Sequence, residues 1–156
     1  SATTFSPNAP MTRGMFATVL ARIDGADLSG FTGTSFTDVD LSKYYGPSVA
    51  WASENGIIAG YGNGLFGPED RISREQMAAM LANYIRVRNI TIVAAKPEAG
   101  SFADDSQISP WAKDSVYLMQ VFGLIGGRPG NIYEPKVVAT RAEVAQVLLN
   151  YVNAVK

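Results

Sequence analysis

The sequence predicts a mainly α protein built from tandem helix-loop-helix repeats. One motif, an aromatic residue, proline and then a hydroxyl residue before arginine, occurs three times along the chain. Each copy is followed by apolar residues at helical spacing. An apolar content of 47% in 156 residues is also enough to build a core. These observations favour a folded helical repeat protein.

The repeats define three units. The aromatic residue and the hydroxyl residue are seven positions apart in every copy, as in Phe66 and Ser73. The predicted units are the back half of a first repeat at 1–30, a second repeat at 31–90 and a third at 91–156. Linkers are predicted at 24–35 and 89–101, the second with a β-branched cluster that would suit a short extended segment.

The back half of each unit predicts an amphipathic helix. Thr12, Ser73 and Thr140 precede these helices as N-cap residues, and Gln76 and Glu143 complete two capping boxes. The apolar stripes are Phe16, Val19, Leu20 and Ile23; Met77, Met80, Leu81, Tyr84 and Ile85; and Val144, Val147, Leu148, Tyr151 and Val152.

The front halves predict a second helix. In the third unit Ser109 and Pro110 begin it and Gly123 ends it, while Pro47 and Gly56 play similar roles in the second unit. Because only the back half of the first unit is present, we expect its helix from Thr12 to Ile23 to need a partner. That partner would be a separately supplied front half, or a second copy through dimerisation or domain swapping.

Composition excludes several functions. With 13 basic and 14 acidic residues, the chain has no net positive charge to attract nucleic acid. Without cysteine or histidine, it lacks thiol nucleophiles, disulfides and the usual zinc ligands. No run of about 20 apolar residues predicts membrane insertion, and the first ten residues lack a signal pattern. We expect no cofactor and no metal.

The combined motif order resembles the S-layer homology family over nearly the whole chain. The matching positions are Phe36, Asp38, Trp51, Ala52, Gly56, Gly60, Phe66, Pro68, Arg74 and Glu75. The resemblance implies a pseudo-threefold arrangement of repeats around a central helical bundle, with grooves between neighbours. It also implies a secreted, noncatalytic anchor on the bacterial cell surface that binds secondary cell-wall polysaccharide, often through a pyruvylated amino sugar.

The resemblance places the arginine that reads a carboxylate at Arg13, Arg74 and Arg141. A cation in the first turn of a helix opposes the macrodipole by about 0.3 to 1 kcal/mol. An anion held jointly by free helix amides and the guanidinium would resolve this conflict. Glu75 and Glu143 belong to the same predicted carbohydrate-binding set, as carboxylates that would orient the arginine. The alternative is that these arginines are solvated or form surface ion pairs with Glu75 and Glu143.

Further sugar contacts are predicted in the glycine loop of the second repeat, at Gly60, Tyr61 and Gly62. Asp38 and Asp104 would accept bonds from saccharide hydroxyls or cap the local turn. Other aromatic residues would stack on sugar rings or belong to the core, namely Tyr44, Trp51 and Trp111.

The three copies differ at the predicted site. Arg128-Pro129-Gly130 replaces Tyr61-Gly62-Asn63 in the third repeat, and the first repeat has Gly14-Met15 in place of an Ala-Glu pair. We therefore expect the second repeat, with Arg74 and the loop 60–64, to carry the best site.

Two other functions compete with a glycan anchor. A glycoside hydrolase would need a carboxylate pair, yet none stands out among Asp38, Asp40, Asp104 and Asp105. A helical repeat protein can also bind another polypeptide, self-associate or bind peptidoglycan itself.

Overall fold

The computed structural model describes residues 6–155, and their regular structure is helical. Isolated β-bridges are the only extended pairing in this part of the chain. The mainly α prediction is therefore confirmed. The helices are α1 (Arg13–Asp24), α2 (Gly46–Glu54), α3 (Arg74–Val87), a short 3₁₀ helix (Asp105–Gln107), α4 (Pro110–Val121) and α5 (Arg141–Ala154).

Local signals place the back helices as predicted. The side chains of Thr12, Ser73 and Thr140 each accept a bond from the third amide of their helix. The predicted capping boxes with Gln76 and Glu143 are both formed. These caps fix where α1, α3 and α5 begin, which in turn fixes the position of the arginine after each cap.

A closed ring of backbone hydrogen bonds joins the segments just before the back helices. Met11 donates to the carbonyl of Ala139 at 3.0 Å, Ala139 donates to Ile72 at 2.9 Å, and Ile72 donates to Met11 at 2.9 Å. These three residues hold equivalent positions in the repeats, so the ring links the repeats in cyclic order. The complete pseudo-threefold arrangement stays a prediction, because among residues 6–155 no front helix packs on α5 as α2 packs on α1 and α4 on α3.

The helices pack in pairs that cross the repeat boundaries. The back helix α1 packs on the front helix α2, and α3 packs on α4. Phe16 and Leu20 of α1 are fully buried as a result. The expectation that α1 would need a partner is therefore wrong. Among residues 6–155 it is α5 that has no front helix alongside it.

The core contains most of the predicted apolar positions of the back helices, but Val152 of the predicted α5 stripe is 60% exposed. Phe66, Tyr133 and Met77 are completely buried, and Trp51 is 3% exposed. The second linker includes an extended segment, since Ile92 forms an isolated bridge with Val155. In the described part of the chain, no helix combines the length and apolarity needed to cross a bilayer.

Candidate functional site: a groove beside Arg13

Of the candidate arginines, Arg13 lines a cavity in the described part of the chain. It is the first residue of α1, and its side chain reaches into the second repeat, where Nε donates to the carbonyl of Phe66 at 2.8 Å and Nη2 to that of Ala59 at 3.4 Å. The guanidinium lies 4.5 Å from the ring centre of Phe66 and 4.7 Å from that of Tyr61. These contacts hold the planar group in one orientation.

The charge of Arg13 is buried without a carboxylate partner among residues 6–155. The residue is only 5% exposed, and its guanidinium forms no salt bridge with a described carboxylate. Burial lowers the pKa of Arg13, while Tyr61, Asp70 and Asp38 nearby act in the opposite direction. An arginine remains protonated at any physiological pH, so a buried cation without a salt bridge to a described carboxylate lies at this position.

A cavity of about 500 Å³ opens next to this guanidinium. Its walls come from the segment before the glycine loop, from α3 and from the beginning of α4. The polar and aromatic lining consists of Arg13, Tyr61, Gln76, Asn83, Trp111 and Ser115. Sites for small ligands typically combine such a volume with a few convergent polar groups.

The glycine loop places Tyr61 at the edge of the cavity. Its hydroxyl donates to Asp70 Oδ2 at 2.7 Å, and the side chain is 48% exposed. Burial of the phenol, followed by this hydrogen bond, raises the pKa of Tyr61. Gly60 permits the tight return of the loop, because a Cβ there would lie 2.5 Å from the carbonyl oxygen of Leu65. Gly62 has a φ of +88° and is exposed.

The predicted sugar-binding aspartates hold loops in place. Asp38 accepts from the amides of Phe66 and Gly67 at 2.9 and 2.7 Å. Asp104 does the same for Tyr133 and the residue after it, both at 2.8 Å. Because both oxygens of each carboxylate bind backbone amides, the turn-capping alternative describes these residues.

The helix-terminus part of the anion prediction is wrong. In α1 the backbone amide of Arg13 donates to the backbone carbonyl of Asp70, and that of Gly14 donates to the backbone carbonyl of Pro68. The third amide, that of Met15, donates to the side chain of Thr12. The corresponding amides of α3 and α5 are paired in the same way. Since carbonyls of the neighbouring repeat already take these donors, an anion at this site would rely on the guanidinium.

Arg74 has the same backbone contacts as Arg13 but also a carboxylate. Its Nε donates to Tyr133 O at 2.7 Å and its Nη2 to Gly126 O at 2.9 Å, and Nη1 lies 3.1 Å from Glu143 Oε1. Arg128 of the third repeat pairs with this same Glu143. The loop 60–64 lies at Arg13, so the structure does not bring Arg74 and that loop into one site.

Burial would raise the pKa of Glu143, but the bond from the Thr140 amide and the cations Arg128 and Arg74 lower it overall. The carboxylate therefore stays ionised and compensates Arg74 within the protein. A guanidinium compensated in this way has less to offer an external anion.

Glu75 and Arg141 occupy other positions. Glu75 is 3% exposed and accepts from the backbone and hydroxyl of Ser109 at 2.9 and 2.8 Å. It also binds Lys136 at 2.5 Å. Glu75 thus fixes the beginning of α4 and does not orient Arg74. Arg141 is partly exposed, and its amide donates to Ala9.

Several lining residues were outside the sequence prediction. The sequence predicts Gln76 only as a helix-capping residue, and no motif in the sequence indicates Asn83 or Ser115 as binding residues. Trp111 was weighed between sugar stacking and the core; it is 61% exposed and borders the cavity. The sequence indicates this exposure in one way. Trp111 directly follows Pro110, which begins α4, and the first turn of a helix is often exposed.

Comparison with known proteins agrees with this architecture. The family model described as "S-layer homology domain" matches residues 35–78 and 101–145, more than half of the chain. The chain belongs to the S-layer homology family. Domains of this family anchor S-layer proteins and cell-wall enzymes noncatalytically at the bacterial cell surface, which places this chain in a secreted cell-surface protein.

Individual relatives include both surface proteins and enzymes. The chain is 33% identical over 150 residues to an exoglucanase XynX of Acetivibrio thermocellus, which covers 94% of this chain and 13% of that protein. It is 34% identical over 149 residues to an endoglucanase of Bacillus sp. (strain KSM-635), covering 95% and 15%. It is 32% identical over 144 residues to the S-layer protein sap of Bacillus anthracis, covering 92% and 17%. The chain thus spans less than a fifth of these relatives.

Proposed function

We propose that this chain anchors its parent protein by binding a pyruvylated amino sugar of secondary cell-wall polysaccharide in the groove beside Arg13. The observation that carries the proposal is a buried guanidinium that faces a 500 Å³ cavity and has no carboxylate partner among the described residues. The ketal-linked pyruvate of such a sugar would supply the missing carboxylate. Charge-assisted bonds of this kind contribute about 1.5 to 3 kcal/mol each.

The donor pattern of Arg13 supports an external carboxylate. Nε and Nη2 are used by Phe66 and Ala59, while no bond to a described residue uses Nη1. In the second arginine site Nη1 is the nitrogen that binds the carboxylate of Glu143. The contact between Arg74 Nη1 and Glu143 is therefore an example of the contact that a ligand carboxylate would make with Nη1 of Arg13.

The rest of the groove suits a sugar ring. Tyr61 and Trp111 are 48% and 61% exposed and both line the cavity, so either could pack against an apolar sugar face. The amides of Gln76 and Asn83 provide donors and acceptors for hydroxyl or acetamido groups.

Calorimetric titration with a synthetic pyruvylated disaccharide tests the proposal. The unpyruvylated disaccharide is the control, and we expect binding of the first with at least about tenfold weaker binding of the second. Equal affinity for both would overturn the role of the carboxylate.

Retention on purified cell-wall sacculi separates the alternatives. Binding that disappears after acid removes the polysaccharide supports the proposal. Binding that survives this treatment would point to peptidoglycan or a protein as the partner.

A further inference from the structure

The dipeptide Asn-Gly occurs twice in the chain, at Asn55-Gly56 and at Asn63-Gly64. In such a pair the backbone nitrogen of the glycine can attack the side-chain carbonyl carbon of the asparagine, because glycine has no Cβ to obstruct the approach. The attack forms a cyclic succinimide and releases ammonia, and water then opens the ring to isoaspartate or aspartate. The hydrogen bonds around each pair decide whether the folded protein allows this reaction.

Hydrogen bonds protect the first pair. Asn55 is the C-cap of α2, and its Nδ2 donates to the carbonyl of Trp51 at 2.8 Å. The amide of Gly56, which would be the attacking group, donates to the carbonyl of Ser53 at 3.0 Å. The nucleophile and the leaving group are therefore both bound to the end of a helix. This pair reacts only after the helix end opens.

The second pair lies in an exposed loop. Asn63 and Gly64 are both exposed, and Gly64 has a φ of +81°. Among residues 6–155, neither the Gly64 amide nor Nδ2 of Asn63 donates a hydrogen bond to the protein. Beyond the adjacent residues, no atom lies within 4 Å of the position that a Cβ of Gly64 would take. Water therefore reaches both reacting groups.

A hydrogen bond within this loop favours the attack. The amide of Leu65 donates to Oδ1 of Asn63 at 3.1 Å. This turn bends the asparagine side chain toward the Gly64 nitrogen, which lies between the two bonded groups along the chain. When the nitrogen attacks, negative charge develops on Oδ1, and the Leu65 amide already donates to that oxygen.

We propose that Asn63 is a site of spontaneous modification, converted to isoaspartate and aspartate through a succinimide with Gly64. Hydroxide removes the proton of the Gly64 amide, and the nitrogen then bonds to Cγ of Asn63. The Cγ–Nδ2 bond breaks, and the departing ammonia takes its proton from water, which restores the hydroxide. One water molecule is then added to either carbonyl of the ring. The third repeat lacks this site, because Gly130-Asn131 replaces Asn63-Gly64 in its loop.

The product alters the loop that holds Tyr61 beside Arg13. Isoaspartate adds a carbon atom to the backbone of the loop and leaves a carboxylate on it. The loop is closed by a bond from the Tyr61 amide to the carbonyl of Leu65 at 2.8 Å. A longer backbone strains this closure, so we expect the Tyr61 ring to move from its place 4.7 Å from the Arg13 guanidinium. This consequence does not rest on the glycan ligand.

Peptide mapping of the aged chain tests the modification. The folded chain is kept at alkaline pH, which promotes attack by the amide nitrogen, and is then acidified and digested briefly with trypsin. Both pairs lie in the fragment 44–71, because Lys43 and Arg71 are the flanking cleavage sites. We expect Asn63 to convert at least about tenfold faster than Asn55, whose hydrogen bonds must open first. Isoaspartate identifies the succinimide, since direct hydrolysis of the amide gives aspartate alone.

The isolated fragment 44–71 is the matched control, because it lacks the fold that protects Asn55. In this fragment the two pairs should react within about threefold of each other. Equal rates in the folded chain would overturn the proposal, as would a product at Asn63 that contains no isoaspartate. A tenfold difference that persists in the fragment would mean that the fold does not select Asn63.

The variant Asn63→Ser tests the consequence for the loop. Serine cannot form the succinimide, and its hydroxyl can still accept the bond from Leu65. The Nε–H resonance of Arg13 in heteronuclear NMR spectra reports the position of the nearby Tyr61 ring. We expect this resonance to shift as the original chain ages and to stay in place in the aged variant. An unchanged resonance after complete conversion of Asn63 would refute the movement of Tyr61.

Discussion

The Arg13 site and the Arg74 site share their backbone contacts but differ in the charged groups around the guanidinium. In both, the guanidinium follows an N-cap, donates to two carbonyls of the next repeat and lies over an aromatic ring. The Arg74 guanidinium also binds Glu143, whereas the position equivalent to Glu143 beside Arg13 holds Gln76. One site therefore carries an internal counterion and the other has a neutral amide.

This difference separates two roles of the same motif. A guanidinium with an internal carboxylate joins two repeats, and removing either partner leaves a charge in a poorly solvated place. A guanidinium beside an amide and a cavity can accept an external carboxylate. A repeated motif thus indicates that the local structure is repeated, but it does not indicate that the binding sites are equivalent.

Removal of the Arg13 side chain should have the largest effect on binding of the disaccharide. We expect Arg13→Ala to weaken binding of the pyruvylated disaccharide about 10- to 100-fold, because the charge-assisted bond to the carboxylate is lost. Titration calorimetry measures the change, and circular dichroism confirms folding. Arg74→Ala is the matched control and should alter affinity less than threefold. Equal losses in both variants would contradict the assignment of the groove.

A carboxylate at the position of Gln76 should make the Arg13 site resemble the internally paired Arg74 site. Gln76→Glu places a carboxylate beside Arg13, and we expect about tenfold weaker binding since this group competes with the ligand. The capping box should survive, as Glu143 forms the same box. The reverse change, Glu143→Gln, should leave binding at Arg13 intact. Unaltered affinity of Gln76→Glu would show that the counterion does not distinguish the sites.

Loss of the exposed aromatic wall should have a smaller effect. We expect Trp111→Ala to weaken binding about two- to tenfold, because one stacking contact contributes about 0.5 to 1.5 kcal/mol. The control is Tyr44→Ala, which removes the equivalent aromatic residue of the second repeat, 58% exposed and outside the lining of the cavity. If both variants bind equally, Trp111 does not contact the sugar.

Acid should weaken the internally paired site through Glu143. Because the pKa of this carboxyl is lowered from 4.5, its stabilising contribution is present above that pH and is lost as the pH falls through the folded-state pKa. The Tm of the parent should exceed that of Glu143→Gln at pH 6, and the gap should narrow as the pH falls below 4.5. A constant gap across this range would mean that the ion pair does not contribute to stability.

Local features of the fold were predictable from the sequence. Caps at Thr12, Ser73 and Thr140 depend on contacts within four residues, and all three were correctly identified. For Trp51 the sequence leaves sugar stacking and core burial open, and its 3% exposure places it in the core. The place of an arginine at the first position of each back helix was predictable as well, because each arginine directly follows the N-cap residue.

The partners of the site residues were not predictable in the same way. Glu75 lies next to Arg74 in sequence, yet it binds Ser109, while Arg74 binds a residue 69 positions away. The helix amides expected to receive an anion are taken by carbonyls of the neighbouring repeat. Such pairings depend on how neighbouring repeats pack against each other. Neither the spacing nor the type of the residues predicts this packing.

The sequence by itself determined a mainly α repeat protein with one arginine at the beginning of each back helix, because periodicity, capping and turn formation act over a few residues. Only the tertiary structure decided that Arg13 meets the loop of the second repeat, that Glu143 compensates Arg74, and that α5 keeps an uncovered face. These properties arise at boundaries between repeats, where burial and charge compensation are set by residues about 50 to 70 positions apart.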